Sequence, residues 1–244
     1  MTEEKIVKFD PENEIDFSLF QAEWDKIGDS KDNLILMHNF LEKEDIDYLY
    51  SYVERYKDDE NFRGGNDKRD FHVKKEDSHA FDLLKKYEKK IYNEVVEHFV
   101  KKLGVKVKEE PQNSLHFVKW PDGMQSGLHA DCERPDGTPA FHAGYYRLNI
   151  SALIYLNDNY EGGEIIFPSY NFYLKPSPGD LVIFPSRYRH FITEVKGPNN
   201  RYTMPIWFTF DLPDIYMQND VFDSEDSVIL WKKDGEKYVR DEAF

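Results

Sequence analysis

The hydrophobic period of this chain changes once, at Gly104, and that change constrains the fold more than any other feature of its 244 residues. Before it the spacing is helical. Phe81, Leu84, Tyr87, Ile91, Val95 and Phe99, with its neighbour Val96, lie on one face of a helix predicted over 78–103, and Gly104 marks its stop. After it the apolar residues alternate in short runs at 115–118, 148–156, 164–166, 181–184 and 203–210. Pro121-Asp122-Gly123, Gly162-Gly163, Pro178-Gly179-Asp180 and Gly197-Pro198-Asn199 separate the runs as turns. Helices followed by many short strands, without βαβ alternation, predict an α+β chain: a strand-rich barrel or sandwich backed by helices.

Shorter elements precede the long helix. Ile15, Leu19, Trp24 and Ile27 suggest an amphipathic helix over 13–26, and residues 34–40 read as a strand. Ile46, Leu49, Tyr50 and Val53 repeat at helical spacing behind Glu42, Glu44 and Asp45, acids that favour a helix start. Residues 57–75 are polar and read as a loop or hairpin. The lysine pairs at 85–86, 89–90 and 101–102 read as a solvated helix face. One further strand is expected at 228–231.

Charge and composition then exclude whole classes of function. The net charge is −15, which repels phosphate backbones and argues against a nucleic-acid partner. Residues 1–33 and 211–244 each hold ten acidic and four basic side chains, so most of that charge lies in the two ends. The expected organisation is an acidic N-terminal segment (1–33), a single domain (34–210, with helical support at 34–104 and a strand-rich core at 105–210), and an acidic C-terminal extension (211–244). Eighteen Phe, 16 Tyr and four Trp supply the buried contacts that an acidic disordered chain lacks. Mean hydropathy is −0.73 and no apolar run approaches the roughly 20 residues of a spanning helix, so no membrane partner is expected. Met1-Thr2-Glu3-Glu4-Lys5 has no apolar stretch after it, which makes a cytoplasmic location the expectation. Cys132 is the only cysteine, which excludes an intrachain disulfide and any multi-cysteine metal site.

Chemistry concentrates in the second half. In an extended segment His129 and Asp131 project to the same face, a two-pronged metal clamp, and His190 offers a third ligand beyond the 178–185 turn and strand. Two histidines and a carboxylate on one face of an octahedral Fe(II) leave three positions open. Arg201 opens the run Arg201-Tyr202-Thr203-Met204-Pro205-Ile206-Trp207. A guanidinium in such apolar company needs an anionic partner, and a dicarboxylate co-substrate would provide one. His142 is the one rival ligand, eleven residues beyond Asp131. His38, His72, His79, His98 and His116 belong to no such pattern, and Cys132 reads as a passive neighbour.

With these residues in view, the segment from about 115 to 210 resembles the 2-oxoglutarate- and Fe(II)-dependent dioxygenases, and within them the prolyl 4-hydroxylase group. His129-x-Asp131 and His190 match the family's iron triad. The stretch from Arg147 through Tyr155-Leu156-Asn157, Gly162-Gly163-Glu164 and Phe167-Pro168 is similar to its central block, and Pro176, Gly179, Asp180 and Phe184 match the unit before the distal histidine. Arg201-Tyr202 with Trp207 matches the co-substrate anchor of the oxygen-sensing subtype. The resemblance implies a double-stranded β-helix, the jelly-roll or cupin-like core, backed by N-terminal helices.

It also implies a function. Fe(II) would be held by His129, Asp131 and His190 as the catalytic centre. The co-substrate 2-oxoglutarate would be held by Arg201, Tyr155 and Trp120, with O2 as oxidant and ascorbate as an accessory reductant. Succinate and CO2 would leave as a C–H bond is hydroxylated, most naturally in a prolyl residue of a peptide or protein. Arg147 would lie near substrate, and loops 62–72 and 132–144 would border the site. Two departures stand out. Trp120 replaces a common tyrosine, and Ile150 replaces a threonine whose hydroxyl would touch the co-substrate. Retention of Asp131 argues against the halogenating branch. Hydroxylation of a free amino acid or small metabolite, and a non-catalytic jelly-roll binding module, are the alternatives. Oligomeric state is not legible.

Overall fold

The computed structural model describes residues 18–57, 69–73, 75–111, 115–133, 147–212, 231–234 and 237–240. The chain begins with α1 (Ser18–Ile27), β1 (Ile35–Met37) and α2 (Lys43–Arg55), followed by β2 (Asp70–His72) and α3 (Ser78–Val95). Helix α3 continues as a π-helical segment, Val96–Lys102, and the chain reverses at Gly104, whose φ of 73° suits a residue without Cβ. The strand-rich half then runs through β3 (His116–Trp120), β4 (Ile150–Tyr155), β5 (Ile165–Phe167), β6 (Phe172–Leu174), β7 (Leu181–Pro185), β8 (Phe191–Ile192) and β9 (Arg201–Phe208). Strands β10 (Trp231–Asp234) and β11 (Lys237–Arg240) pair with each other.

Two antiparallel sheets form the core. The larger has the order β1-β7-β4-β9-β3-β2 and the smaller β6-β5-β8. Strands β4, β7 and β9 are buried almost throughout, because their period of two sorts side chains between two cores rather than between core and water. Ile150, Ala152, Ile154, Leu181, Ile183, Tyr202, Met204, Ile206 and Phe208 meet the helices. Tyr155, Val182 and Phe184 meet Ile165, Phe167, Leu174 and Ile192 of the smaller sheet, with Phe167 edge-on to Phe184 at 4.9 Å. This two-sheet sandwich with helices on one outer face is the expected jelly roll.

Several local expectations are corrected. In α1 the buried apolar residues are Phe20, Trp24 and Ile27, while Leu19 is exposed, because the buried stripe follows Phe20 and Trp24 at i, i+4. Trp24 stacks edge-on against Phe210 at 4.8 Å and lies under the Arg187 guanidinium at 4.6 Å, so α1 is packed into the domain core. Ile15 lies outside the described residues. The 34–40 strand is only three residues long, because the chain turns at Asn39 with a φ of 54°. The polar 57–75 stretch contributes β2, which pairs with β3. Strands β6 and β8, too short for a period to register, were not foreseen, and most of the 228–231 strand lies outside the described residues. The lysine pairs do lie on a solvated face, where Lys86 pairs with Asp45 at 2.7 Å and Glu42 at 3.2 Å, beside the Tyr87 hydroxyl, which donates to Asp45. No helix among the described residues is long and apolar enough to cross a membrane.

If α1 is integral to the core, Trp24→Ala should cost about 3–5 kcal/mol of unfolding free energy, the usual range for a buried aromatic. Urea denaturation of the two proteins would show it as a lowered midpoint with little change in slope.

Candidate active site

The site lies between the sheets, where β9 and β4 turn their inner faces towards β8. His129 and His190 form an antiparallel bridge, exchanging backbone hydrogen bonds of 2.9 and 2.8 Å that bring their rings to 4.4 Å between centroids. Each Nδ1 faces a backbone carbonyl, Gly127 at 2.8 Å for His129 and Tyr188 at 3.0 Å for His190. With Nδ1–H donating there, each Nε2 keeps its lone pair. Both Nε2 atoms point at Asp131 Oδ1, at 3.6 and 3.8 Å. Asp131 is anchored through its own N–H, which donates to the Ser186 carbonyl at 2.8 Å. Its Oδ2 accepts from Ser151 Oγ at 2.5 Å and Trp207 Nε1 at 3.0 Å.

Electrostatics follow from burial and proximity. Burial alone would raise the Asp131 carboxyl, but the two imidazoles and the Ser151 hydroxyl hold it well below the usual carboxylate range. Burial, with His129 beside it, pushes His190 down to about 4, so its ring is neutral and competent as a ligand at neutral pH. The three ligand atoms lie within 4.8 Å of one another, and this is the one such group of three among the described residues. Two imidazoles and one ionised carboxylate converging from one side suit a divalent transition metal with open positions.

A second pocket surrounds Arg201, the first residue of β9. Its side chain is 1% exposed, yet none of its three guanidinium nitrogens has a hydrogen-bond partner among the described residues. The Tyr155 and Tyr160 hydroxyls and Trp120 Nε1 are equally buried and equally without one. The guanidinium sits 5.1 Å from the ring centroids of both Trp120 and Tyr155. Burial raises both tyrosines, so they enter as neutral donors. A buried cation ringed by unused donors is costly unless an anion supplies the acceptors, and a carboxylate offers about four lone-pair sites. These residues therefore fit 2-oxoglutarate, as the triad fits Fe(II).

Neighbouring residues shape that pocket. Asn157 pins the hairpin before β9: its Nδ2 donates to the Asn200 carbonyl at 2.8 Å, and its Oδ1 accepts from the Tyr202 N–H at 2.9 Å. At Gly163 a Cβ would stand 2.8 Å from both Arg201 Cδ and Tyr160 Cε2, so only glycine lets the turn close over the arginine.

The structure thus brings His129, Asp131 and His190 together, and separately Arg201, Tyr155 and Trp120. Arg147 is buried at the approach to β4, and its carbonyl accepts from Thr209 Oγ1 at 2.9 Å. His142 and most of loops 62–72 and 132–144 lie outside the described residues. Cys132 is buried, and burial pushes its thiol far up, which makes it a poor nucleophile. One expectation is overturned. Ile150 packs in the helix-facing core, on the opposite face from Ser151 and Tyr155, so a hydroxyl there would not touch the pocket. Tyr160 was missed because it lies in a turn with no period, and Ser151 and Ser186 because serine carries no motif. In-phase alternation from Tyr155 back to Ser151 was the one available signal.

Comparison with known proteins places this geometry. Residues 115–209 match the profile of the 2OG-Fe(II) oxygenase superfamily. A PKHD-type hydroxylase of Crocosphaera subtropica is 28% identical over 117 residues, covering 46% of this chain and 50% of the relative. Another from Prochlorococcus marinus is 29% identical over 87 residues, 35% of this chain and 36% of the relative. The chain therefore spans half or less of the length of these curated relatives. A Pseudomonas putida prolyl-4-hydroxylase superposes with a TM-score of 0.54 at 18% identity, covering 72% of this chain and 92% of that one. A Trichoplax adhaerens prolyl hydroxylase, solved with a hypoxia inducible factor oxygen degradation domain peptide fragment, gives 0.56 at 16%, covering 81% and 94%. At those identities the superpositions speak for the fold. Over residues 115–209 the chain is thus similar to the 2OG-Fe(II) oxygenase superfamily, and its jelly-roll fold and His-Asp-His cluster agree with that likeness.

Proposed function

We propose that the protein is a 2-oxoglutarate- and Fe(II)-dependent dioxygenase that hydroxylates a prolyl residue of a peptide or protein. The observation that carries the reading is the pairing of two complementary sites between the same sheets: a converging His129-Asp131-His190 cluster, and a buried Arg201 whose donors are all unused. Fe(II) bound there would couple decarboxylation of 2-oxoglutarate by O2, giving succinate and CO2, to hydroxylation of a C–H bond. The protein's own residues bind and orient. Arg201, Tyr155, Tyr160 and Trp120 receive the far carboxylate, which sets the direction of the co-substrate. Phe167 and Phe184 pack against the His190 ring at 5.1 and 4.9 Å and keep water from that side. His129 lies on the more open side of the cluster, with 22% of its side chain exposed against 5% for His190, so substrate approaches there.

The prolyl substrate is carried by likeness to the prolyl hydroxylases above, and a peptide by the one solved with a peptide fragment. The first test is anaerobic titration with Fe(II) and 2-oxoglutarate. The weak visible charge-transfer band of the ternary complex should appear in the native protein and vanish in Asp131→Ala; no band in the native protein would favour a non-catalytic binding module. The second is mass spectrometry of a panel of proline-containing peptides, where a gain of one oxygen on proline with stoichiometric succinate is expected. Unmodified peptides alongside small-molecule-stimulated succinate release would point instead to a free amino acid or metabolite substrate.

The Arg201 pocket gives a third test that separates binding from folding. Arg201→Met should leave the ligand-free protein as stable or more stable, by up to about 1–4 kcal/mol, because it removes an unpaired buried charge. It should also abolish the rise in melting temperature that 2-oxoglutarate gives the Mn(II)-loaded native protein. Gly163→Ala should weaken the same ligand by roughly tenfold or more while metal binding is retained, since its Cβ would displace Arg201.

A further inference from the structure

The carboxylate of Asp131 is held from behind by two side-chain donors, Ser151 Oγ and Trp207 Nε1. An ionised carboxylate only accepts hydrogen bonds, so the single proton of Ser151 goes to Asp131 Oδ2, 2.5 Å away. The contact between Ser151 Oγ and Ser186 Oγ, at 2.6 Å, must then be donated by Ser186. Both serines are fully buried, so water supplies no alternative. The direction is fixed: Ser186 to Ser151 to Asp131. The indole of Trp207, a donor only, takes the remaining place on the same Oδ2 at 3.0 Å. Backbone bonds fix the far end, since the Ser186 N–H donates to the Asn149 carbonyl at 2.9 Å and its carbonyl accepts from Asp131 N–H at 2.8 Å.

Oδ2 is thus filled by two donors, while Oδ1 alone faces the two imidazole Nε2 atoms. We propose that Ser186, Ser151 and Trp207 form a positioning relay that locks Asp131 as a one-oxygen ligand, and thereby sets both the affinity of the metal site and the number of positions left open on the ion. The inference rests on reading the His129-Asp131-His190 cluster as a metal site. A carboxylate free to rotate would turn its second oxygen to the ion and occupy one of the three positions that two imidazoles and a single carboxylate oxygen would leave open. Two charge-assisted bonds in a dry interior hold it back. Ser186 acts at one remove. Its proton polarises the Ser151 hydroxyl and stops it from rotating off the carboxylate.

The test is Co(II) binding to the full chain, followed by the visible d–d spectrum, which reports coordination number, with thermal melting of the metal-free protein as a folding control. Ser151→Ala should weaken Co(II) by about 10–100-fold, the usual cost of losing a group that orients a ligand. It should also lower the intensity of the d–d bands, as a second carboxylate oxygen joins the ion. Ser186→Ala should weaken binding several-fold alone and add nothing in the Ser151→Ala background, where its route to the carboxylate is gone. Trp207→Phe should weaken binding in either background, because it reaches Oδ2 directly. One-equivalent binding by the native protein that Ser151→Ala matches in affinity and spectrum would overturn the relay alone. Equal effects of Ser186→Ala in both backgrounds would do the same. Failure of the native protein to bind one equivalent, or binding that survives His190→Ala, would overturn the metal-site reading and the relay with it.

Discussion

Everything in this domain depends on three strands that have no solvent face. In β4, β7 and β9, successive residues alternate between the helical core and the space between the sheets. The helical side is filled without exception by apolar groups: Ile150, Ala152 and Ile154 on β4, and Tyr202, Met204, Ile206 and Phe208 on β9. The other side can then carry Ser151, Tyr155, Arg201 and Trp207, because the apolar half has already secured the sheet. A one-residue slip of β9 would bury Arg201 among the helices and turn Met204 to the site, so register and chemistry are fixed together.

The polar interior is costly in a particular way. Asp131 is satisfied internally, with both imidazoles on one oxygen and two hydrogen-bond donors on the other. Arg201 is not. Its unused donors, and those of Tyr155, Tyr160 and Trp120, make a pocket whose desolvation is offset only when an anion arrives. On the function proposed above, that difference would separate a cluster preorganised for a resident ion from a pocket that awaits an anionic co-substrate.

Much of this was legible in the sequence, for physical reasons that can be named. The switch from helical to alternating period located α3 and the main strands, because both periods follow directly from backbone geometry. The spacing of His129 and Asp131 was readable as a clamp, and Arg201 was conspicuous as a lone charge in an apolar run. Elements of two or three residues, such as β6 and β8, were not readable, because a period needs more repeats than they contain. Ile150 shows a subtler failure. Its position in the family block suggested a place in the co-substrate pocket, but the strand's alternation turns it to the helices and gives the inner face to Ser151.

The sequence by itself determined the fold class, the candidate ligands and the buried cation, since these follow from local periodicity, residue chemistry and the cost of an unpaired charge. Tertiary structure alone decided how they act. His190 lies 61 positions from His129 in the chain, and only a backbone bridge between the two puts their Nε2 atoms on the same carboxylate oxygen. Tyr160 joins Arg201 only because Gly163 lets a turn close over it, and Ser186 reaches Asp131 only through Ser151 on another strand. Contacts of that kind depend on distances across the sheets, which no pattern along a single strand encodes.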